Sequence, residues 1–490
     1  MTTKQLKWEY YLLWTLMFFF TLIYTTQVVL NHYYFRTYAL DYGYYNQAFW
    51  DFAHFRVNAN TVFEPPLANY FQVHPGFTLL LLSPLYWLFN PIFGTYSLLI
   101  IQNVFMLLGG YGVYLLVRRK TENFWIAVLA FLHYNLLWGH YSALSADFIE
   151  TTVASCMVPL FFLFFDRKRY FLAGIFFLFM ITCKENMPIW FIFISLTLIF
   201  IYKDKRSRLI ALGFGIFSFL YLVFIFKFLI PYFDNPDRPY SGFAYSALGN
   251  NPAEAVVHII RHPIETFRLL FINHLGDKIY DNIKAEFYLV FLLSGGLLLF
   301  WRPVYIIPFI PLIAQKMFND AYGRWGILGF YSIEAVSLLT LAVFLATSGI
   351  KKVKFRYVLY ALLCFSTLAV TMIKMNHRTS VWYDKSKEHF FRSAFYQPGI
   401  DAQKIRKQIR EVVPAGSPLA ASQGIVPHFA YRPEIYMFPY VHDAEYIVLL
   451  LNSSTYPLGE ESFKKEVEKY LQNPEWKQVL NDYPLLILKR

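Results

Sequence analysis

After its first long apolar run, the chain reads Leu-Asp-Tyr-Gly-Tyr-Tyr-Asn-Gln-Ala-Phe-Trp from Leu40 to Trp50. Aromatic side chains such as these favour a membrane–water boundary, and Asp41 is the one acid among them. Gly43 lets the backbone turn, and the residues after it are predicted to form a short helix lying on the membrane. A carboxylate held there can act on a substrate that has a lipid tail and a polar head. The alternative is an aspartate that only caps this helix.

The composition is that of a membrane protein. Of the 490 residues, 57% are hydrophobic and only 16% are charged. The formal net charge of +12 would also suit a nucleic-acid partner. The basic residues, however, form short clusters between apolar runs, as at the cytoplasmic side of a membrane, so we expect no nucleic acid.

The cysteines and the N-terminus also fit a membrane protein. Cys156, Cys183 and Cys364 lie in apolar segments, and no disulfide framework is predicted. Lys4 and Lys7 precede an apolar run as in a signal sequence, but no small-residue cleavage site follows. We therefore expect a retained first helix in the plasma (inner) membrane.

The apolar runs predict an α-helical polytopic membrane protein with about eleven spans, since a span needs roughly 17–25 residues. The runs are Tyr11–Leu30, Thr95–Val117, Phe124–Trp138, Phe148–Phe165, Tyr170–Cys183, Met187–Tyr202, Leu209–Ile230, Ala285–Phe300, Val304–Met317, Ile327–Ala346 and Tyr357–Met375. Basic clusters follow every second run, at Arg118–Lys120, Arg167–Arg169, Lys203–Arg208, Arg302 and Lys351–Arg356. With a cytoplasmic N-terminus, all of these clusters fall inside.

Two long outer loops are predicted, and the first is too long to be a simple connector and is expected to be functional. The first, residues 31–94, contains the apolar run from Phe77 to Phe89, which is short for a span and is predicted to dip into or lie along the outer surface. The second, residues 231–284, has apolar residues at helical spacing from Ala253 to Leu275, which is typical of an interfacial helix.

The composition changes after Met375. Residues 1–375 are predicted to form the transmembrane domain. Residues 376–490 have the charge of a soluble domain, with a helix over Asp401–Val413 and a polar helix around Glu461–Leu471. Short apolar runs are found at Pro418–Ser422, Ile435–Phe438, Tyr446–Leu451 and Leu485–Leu488. We expect a small extracytoplasmic α/β domain.

Acids and bases collect in the predicted outer turns. A charge near membrane depth costs roughly 2.5–3.5 kcal/mol on insertion scales, so each needs an explanation. Asp147 and Glu150 are three residues apart, and a helix would present both on one face. Each group also has a plainer interpretation, such as a solvated turn or a helix cap. The groups are His74, the pair Asp147 and Glu150, the pair Lys184 and Glu185, and Arg324 with Tyr331 and Glu334.

The chain resembles a family of uncharacterised prokaryotic multispanning proteins known only as a domain of unknown function. The resemblance starts at Leu40–Gly43 and Gln47–Trp50 and covers nearly the whole chain. It continues through His74, Asp147-Phe148, Lys184-Glu185, Tyr331-Ser332, Pro427-His428-Phe429 with Arg432, and Ile435-Tyr436 with Phe438-Pro439.

That family is similar in layout to the GT-C membrane glycosyltransferases, which take sugars from polyprenyl-phosphate or related lipid donors at the outer face. The resemblance implies a GT-C-like fold and an inverting transfer with Asp41 as the base and Lys184 and Arg324 as phosphate contacts. The remaining substrate-binding candidates are Gln47, His74, Asp147, Glu150, Glu185, Tyr331 and Glu334. Tyr42 follows Asp41, and Asn46 stands at a position that is often acidic, so a metal-binding Asp-x-Asp is missing and no cofactor is expected.

Two other functions remain open. A transporter or flippase of a lipid-linked saccharide would distribute ionisable residues through the membrane depth. A non-enzymatic scaffold would explain the C-terminal domain but not the polar outer turns. For the transferase, the expected partners are membrane lipid, a lipid-linked sugar donor and a saccharide, lipid or protein acceptor.

Overall fold

The computed structural model describes residues 3–64, 67–234, 242–327, 329–379 and 385–490, and most of them are helical. The helices up to the second outer loop are α1 Thr3–Tyr33, α2 Tyr44–Ala53, α3 Thr78–Leu82, α4 Tyr86–Phe93, α5 Ser97–Thr121, α6 Phe124–Leu136, α7 Trp138–Leu144, α8 Glu150–Asp166, α9 Tyr170–Ile181, α10 Met187–Ile201, α11 Lys205–Phe224 and α12 Ile230–Phe233. The later helices are α13 Pro252–Arg261, α14 Pro263–Leu269, α15 Ile283–Leu293, α16 Ile310–Met317, α17 Ile333–Ala346, α18 Val353–Asn376, α19 Lys385–Glu388, α20 Ala402–Val412, α21 Val426–Phe429 and α22 Glu460–Gln472.

Helical backbone occurs within each of the predicted apolar runs, but the lengths differ. The stretches long and apolar enough to cross a membrane are Trp8–Tyr33, Thr78–Thr121, Lys205–Phe233 and Val353–Asn376. Shorter apolar helices, such as Met187–Ile201 and Ile333–Ala346, lie between them. The apolar helices are consistent with membrane insertion, and the count of eleven spans stays a prediction.

Proline and glycine explain part of the shortening. The predicted run from Val304 to Met317 begins as a 3-10 helix over Pro303–Phe309 and becomes α-helical only at Ile310. Proline lacks an amide hydrogen and cannot complete the regular ladder of an α-helix. Gly94, with a φ of 53°, ends α4 and separates it from α5.

Three of the basic clusters, Arg118–Lys120, Arg167–Arg169 and Lys203–Arg208, meet at one end of the helix bundle. They are joined by ion pairs between the ends of α1, α5 and α8 and the turns next to α9 and α11. Arg118 pairs with Glu9, Arg119 and Lys120 with Asp166, and Lys168 with Asp204. Turns that are far apart in the sequence therefore lie on one side of the bundle.

The C-terminal residues form a five-stranded mixed sheet. Two short strands precede it in the first outer loop, β1 Asn58–Asn60 and β2 Leu67–Asn69, and the sheet contains β3 Leu419–Ala421, β4 Ile435–Met437, β5 Tyr446–Leu450, β6 Lys477–Asp482 and β7 Leu485–Lys489. Its order is β4-β3-β5-β7-β6, with β3 parallel to β4 and β5. The small C-terminal α/β unit is confirmed, but β6 was not predicted because this edge strand is polar and mostly exposed.

The first outer loop packs against this C-terminal unit. The Nδ2 of Asn46 donates to the carbonyl of Pro427 at 3.2 Å, and the Oγ1 of Thr61 donates to the carbonyl of Ile435 at 2.8 Å. As a result, α2 is buried on nearly all sides. The prediction of a helix after Gly43 is right, but its placement on the membrane surface is wrong, because the C-terminal unit covers it.

The second outer loop contains the expected amphipathic segment as α13 and α14. Their apolar side chains are unusually exposed, among them Val256, Ile260, Ile264 and Phe267. The three cysteines are free and buried.

Candidate functional site

A cavity of about 480 Å3 lies between the turn that joins α9 to α10 and the helices α11, α15, α16 and α17. We call it the amphipathic cavity. It is lined by apolar side chains, including Trp190, Phe226, Phe243, Phe287, Phe291, Phe309 and Phe330. Six predicted site residues line it too: His74, Lys184, Glu185, Arg324, Tyr331 and Glu334. The structure thus brings together residues from four separate segments of the sequence.

Positive charge is in excess in the amphipathic cavity. Four cationic side chains, Lys184, Lys227, Lys316 and Arg324, line it together with two carboxylates, Glu185 and Glu334. Within the described part of the chain, neither Lys184 nor Arg324 forms an ion pair, and the buried Nε of Arg324 has no hydrogen-bond partner. Both cations lie near aromatic rings instead, Lys184 near Phe330 at 5.8 Å and Arg324 near Tyr331 at 5.5 Å. They are available to an anionic ligand.

His74 and Glu185 form the polar edge of the cavity. The Nδ1 of His74 lies 3.3 Å from the Oε1 of Glu185. Burial and the charge of Lys184 lower the pKa of His74, while Glu185 acts in the opposite direction. His74 and Lys184 in turn lower the pKa of Glu185 against the effect of its burial.

The first outer loop reaches this edge through a close backbone contact. The amide of Phe77 donates to the carbonyl of Thr182 at 2.7 Å. A Cβ atom on Gly76 would lie 2.2 Å from the carbonyl oxygen of Cys183, so only glycine fits there. This contact places His74 beside Glu185.

Asp41 lies outside the amphipathic cavity. It sits in a π-helical turn, Ala39–Gly43, a type of irregularity that is frequent at functional sites. The N-cap residues of this turn and of α2 are Tyr38 and Gly43, and neither forms a side-chain capping hydrogen bond. The capping alternative for Asp41 therefore has no support in the geometry.

Asp41 belongs to a second cluster, with Asp147 and Lys387. The Nζ of Lys387 lies 3.0 Å from Asp147 Oδ1, and both side chains are buried. Burial raises the pKa of Asp41, while Lys387 acts in the opposite direction. Burial also raises the pKa of Asp147, to about 6, against the charge of Lys387 and with a further contribution from Asp41.

Asp147 and Glu150 do not share a helix face. Asp147 has a φ of 66° and precedes α8, which begins at Glu150. The two carboxylates therefore point to different partners, and the expectation that a helix presents both on one face is wrong. Glu150 lies within electrostatic range of Lys184 and Glu185 and also next to the rings of Tyr44, Tyr45 and Tyr70. Glu150 thus has neighbours both in the amphipathic cavity and in the region around Asp41.

Gln47 is placed elsewhere. Its amide nitrogen donates to Thr61 Oγ1 at 2.9 Å and to the carbonyl of Pro433 at 3.1 Å, and its amide oxygen accepts from the Thr61 amide. These bonds hold the first outer loop against the C-terminal unit.

Three lysines were missed by the sequence reasoning, namely Lys227, which lines the amphipathic cavity, Lys316 and Lys387. Lys316 donates to the carbonyls of Gly326 and Tyr331 at 3.0 and 2.7 Å. It lies at the end of a predicted span, where a charged side chain is costly, so its position could have identified it as a site residue. Lys387 is separated from Asp147 by 240 positions, so no local pattern pairs them. Among the described residues, no group of three or more His, Cys, Asp or Glu side chains could hold a metal ion.

The comparisons with known proteins concern nearly the whole chain. Residues 31–478 match the family model described as Predicted membrane protein (DUF2079). No curated protein matches the chain. Since the matched region covers most of the chain, including both charged clusters and the strands β3 to β5, the chain belongs to the DUF2079 family of predicted membrane proteins.

Proposed function

We propose that the protein is a glycosyltransferase that takes a sugar from a polyprenyl-phosphate-type donor at the outer face of the membrane. The observation that carries the proposal is the amphipathic cavity, where Lys184 and Arg324 lack ion pairs among the described residues and face apolar walls. A lipid phosphate requires this combination of cationic donors and hydrocarbon contacts.

The helix α11 forms one wall of the cavity, and its exposed apolar surface favours a lipid ligand. Only 17% of the apolar window of Lys205–Phe233 is buried, and the π-helical segment Ile225–Leu229 contributes Phe226 and Lys227 to the cavity. A prenyl chain can leave the cavity along this exposed helix while its phosphate stays with the cations. His74, Glu185, Tyr331 and Glu334 then surround the sugar.

Asp41 is the proposed base. Its carboxylate has no ion pair and no side-chain hydrogen bond among the described residues. It would accept the proton of an acceptor hydroxyl as the hydroxyl oxygen bonds to the sugar C1 and the bond from C1 to the phosphate oxygen breaks. Lys184 and Arg324 would stabilise the departing lipid phosphate. Asp147 and Lys387 would position Asp41, and Glu150 would orient the sugar between the two clusters.

The test measures retention of polyprenyl phosphate by the purified protein in lipid nanodiscs. Lys184→Met and Arg324→Met should each weaken retention about tenfold or more, since a hydrogen bond to a charged group contributes roughly 1.5–3 kcal/mol and about 1.4 kcal/mol corresponds to tenfold. Lys278→Met is the matched control, because Lys278 is an exposed lysine of the second outer loop that does not line the cavity.

Three outcomes would count against the proposal. One is equal retention by the cavity variants and the control. Another is equal retention of polyprenyl phosphate and the uncharged prenol. The third is translocation of an intact lipid-linked sugar with no transfer to any acceptor, which would favour the flippase.

A further inference from the structure

We infer that a polar cleft at the edge of the C-terminal sheet binds a neutral saccharide, which acts as the acceptor. Its role as acceptor rests on the proposed transferase function, whereas saccharide binding in the cleft does not. The cleft has a volume of about 420 Å3 and is lined by Tyr34, Tyr38, Gln397, Gln423, Asn452 and Ser453, among others. We call it the C-terminal cleft.

The strand order places the C-terminal cleft at a switch point of the sheet. β3 lies between β4 and β5 and is parallel to both. The chain leaves β3 towards β4 on one side and leaves β5 towards the other side, so the two connections diverge. Open α/β sheets bind ligands in the crevice outside the carboxyl ends of such strands. Gln423 follows the end of β3 and Asn452 follows the end of β5, and both line the cleft.

Polar groups in the cleft are available to a ligand. Gln423 is only 7% exposed. Its side-chain amide has no hydrogen bond within the described ranges of the chain. The side chains of Gln397 and Asn452 are likewise without hydrogen bonds among the described residues. A buried amide that lacks a protein partner is costly, and a ligand hydroxyl would satisfy it.

The charge of the cleft favours a neutral ligand. No carboxylate is among its lining residues in the described chain. Arg36 is the only cation that lines it there, and its Nη1 donates to the carbonyls of Ser386 and Phe395 at 2.9 and 3.1 Å. Since this guanidinium is engaged by backbone oxygens, it is not a free anion site. Hydroxyl groups suit the amides of Gln397, Gln423 and Asn452, which line the cleft.

The cleft adjoins the Asp41 cluster. The amide of Tyr38 donates to Asp147 Oδ2 at 3.2 Å, and the Nζ of Lys387 lies 4.4 Å from the centroid of the Tyr38 ring. Asp41 follows Tyr38 by three positions in the π-helical turn. A saccharide in the C-terminal cleft would therefore lie next to the proposed base.

The experiment measures disaccharide binding to the full chain in lipid nanodiscs by saturation-transfer NMR. The probes are cellobiose and chitobiose, with glycerol 3-phosphate as the anionic comparison. Asn452→Trp should fill the cleft and weaken binding of the neutral probe at least tenfold, and Gln423→Leu should weaken it by removing the buried amide. Gln472→Trp, at an exposed position outside the cleft, should bind like the wild type.

Each outcome decides the inference. It is overturned if neither disaccharide binds the wild type, if both cleft variants bind like Gln472→Trp, or if only glycerol 3-phosphate binds. The Lys184→Met variant distinguishes a failure of the cleft inference from a failure of the proposed function. It should lose polyprenyl phosphate but keep the disaccharide, so failure of the transferase and failure of the cleft are distinct results.

Discussion

Asp41 is a half-buried carboxylate that caps no helix, and this makes a conservative substitution informative. Asp41→Asn keeps the shape of the side chain but removes the proton acceptor. We expect normal accumulation, normal retention of polyprenyl phosphate and a transfer rate lowered about 10²–10⁴-fold, the usual contribution of general base catalysis. A radiolabelled-sugar transfer assay measures this. A variant as active as the wild type would remove Asp41 from the mechanism.

Lys387 should set the pH range in which Asp41 works. Burial raises the pKa of Asp41, and Lys387 lowers it. Because the base must be ionised, activity should fall as the pH decreases through this pKa. Lys387→Met removes the opposing charge, so the acidic limb of the pH–rate profile should move to higher pH. Lys404→Met, which breaks an exposed pair with Asp482, is the matched control. If the acidic limb of the pH–rate profile is unchanged in Lys387→Met, the assignment of this limb to Asp41 is contradicted.

The same cluster predicts how stability depends on pH. The pKa of Asp147 in the folded protein is about 6, above the value of about 3.9 for an unperturbed aspartate. The folded state therefore binds the proton more tightly than the unfolded state. Its contribution to stability is fully present below pH 4 and is lost as the pH rises through 6. As the pH rises from about 4 through 6, the melting temperature of Asp147→Asn should therefore decrease less than that of the wild type.

At the scale of elements, the contact between the first outer loop and the α9–α10 turn determines the edge of the cavity. Gly76→Ala would force its Cβ against the carbonyl of Cys183, and overpacking typically costs 1–3 kcal/mol. We expect a lower melting temperature and weaker retention of polyprenyl phosphate, because His74 would move from Glu185. Gly174→Ala is the matched control, since no atom lies within 4 Å of a Cβ placed there. Equal effects of both substitutions would show that the contact is unimportant.

The sequence predicts elements better than it predicts their contacts. Apolar runs indicate the helices, and short apolar runs indicate β3, β4, β5 and β7, because burial requires these patterns. Mixed charges in outer turns identify five of the seven histidine, lysine, arginine and glutamate residues that line the amphipathic cavity, and miss Lys227 and Lys316. The pairing of Asp147 with Lys387 and the positive φ of Asp147 depend on tertiary packing, and neither leaves a local pattern. The burial of α2 was missed for the same reason.

At the scale of the whole molecule, basic turns that are distant in the sequence lie together at one end of the helix bundle. The basic turns are joined by ion pairs such as Arg118 with Glu9 and Lys168 with Asp204. The C-terminal unit packs on the first outer loop, which also contributes His74 to the amphipathic cavity. Lysine and arginine are retained on the cytoplasmic side of membranes. The end with the basic turns is therefore expected inside, and the C-terminal unit outside.

Cysteine labelling tests this orientation. The native cysteines are buried, so an impermeant maleimide should not react with the wild type in intact spheroplasts. Ser462→Cys, at an exposed position on α22, should react at once. Lys205→Cys, exposed at the start of α11 in a basic turn, should react only after the membrane is permeabilised. The opposite pattern would place the C-terminal unit in the cytoplasm. Since Asp41, the C-terminal cleft and the amphipathic cavity are tied to that unit by the first outer loop, it would also move the whole candidate site to the inner face and exclude an outer-face donor.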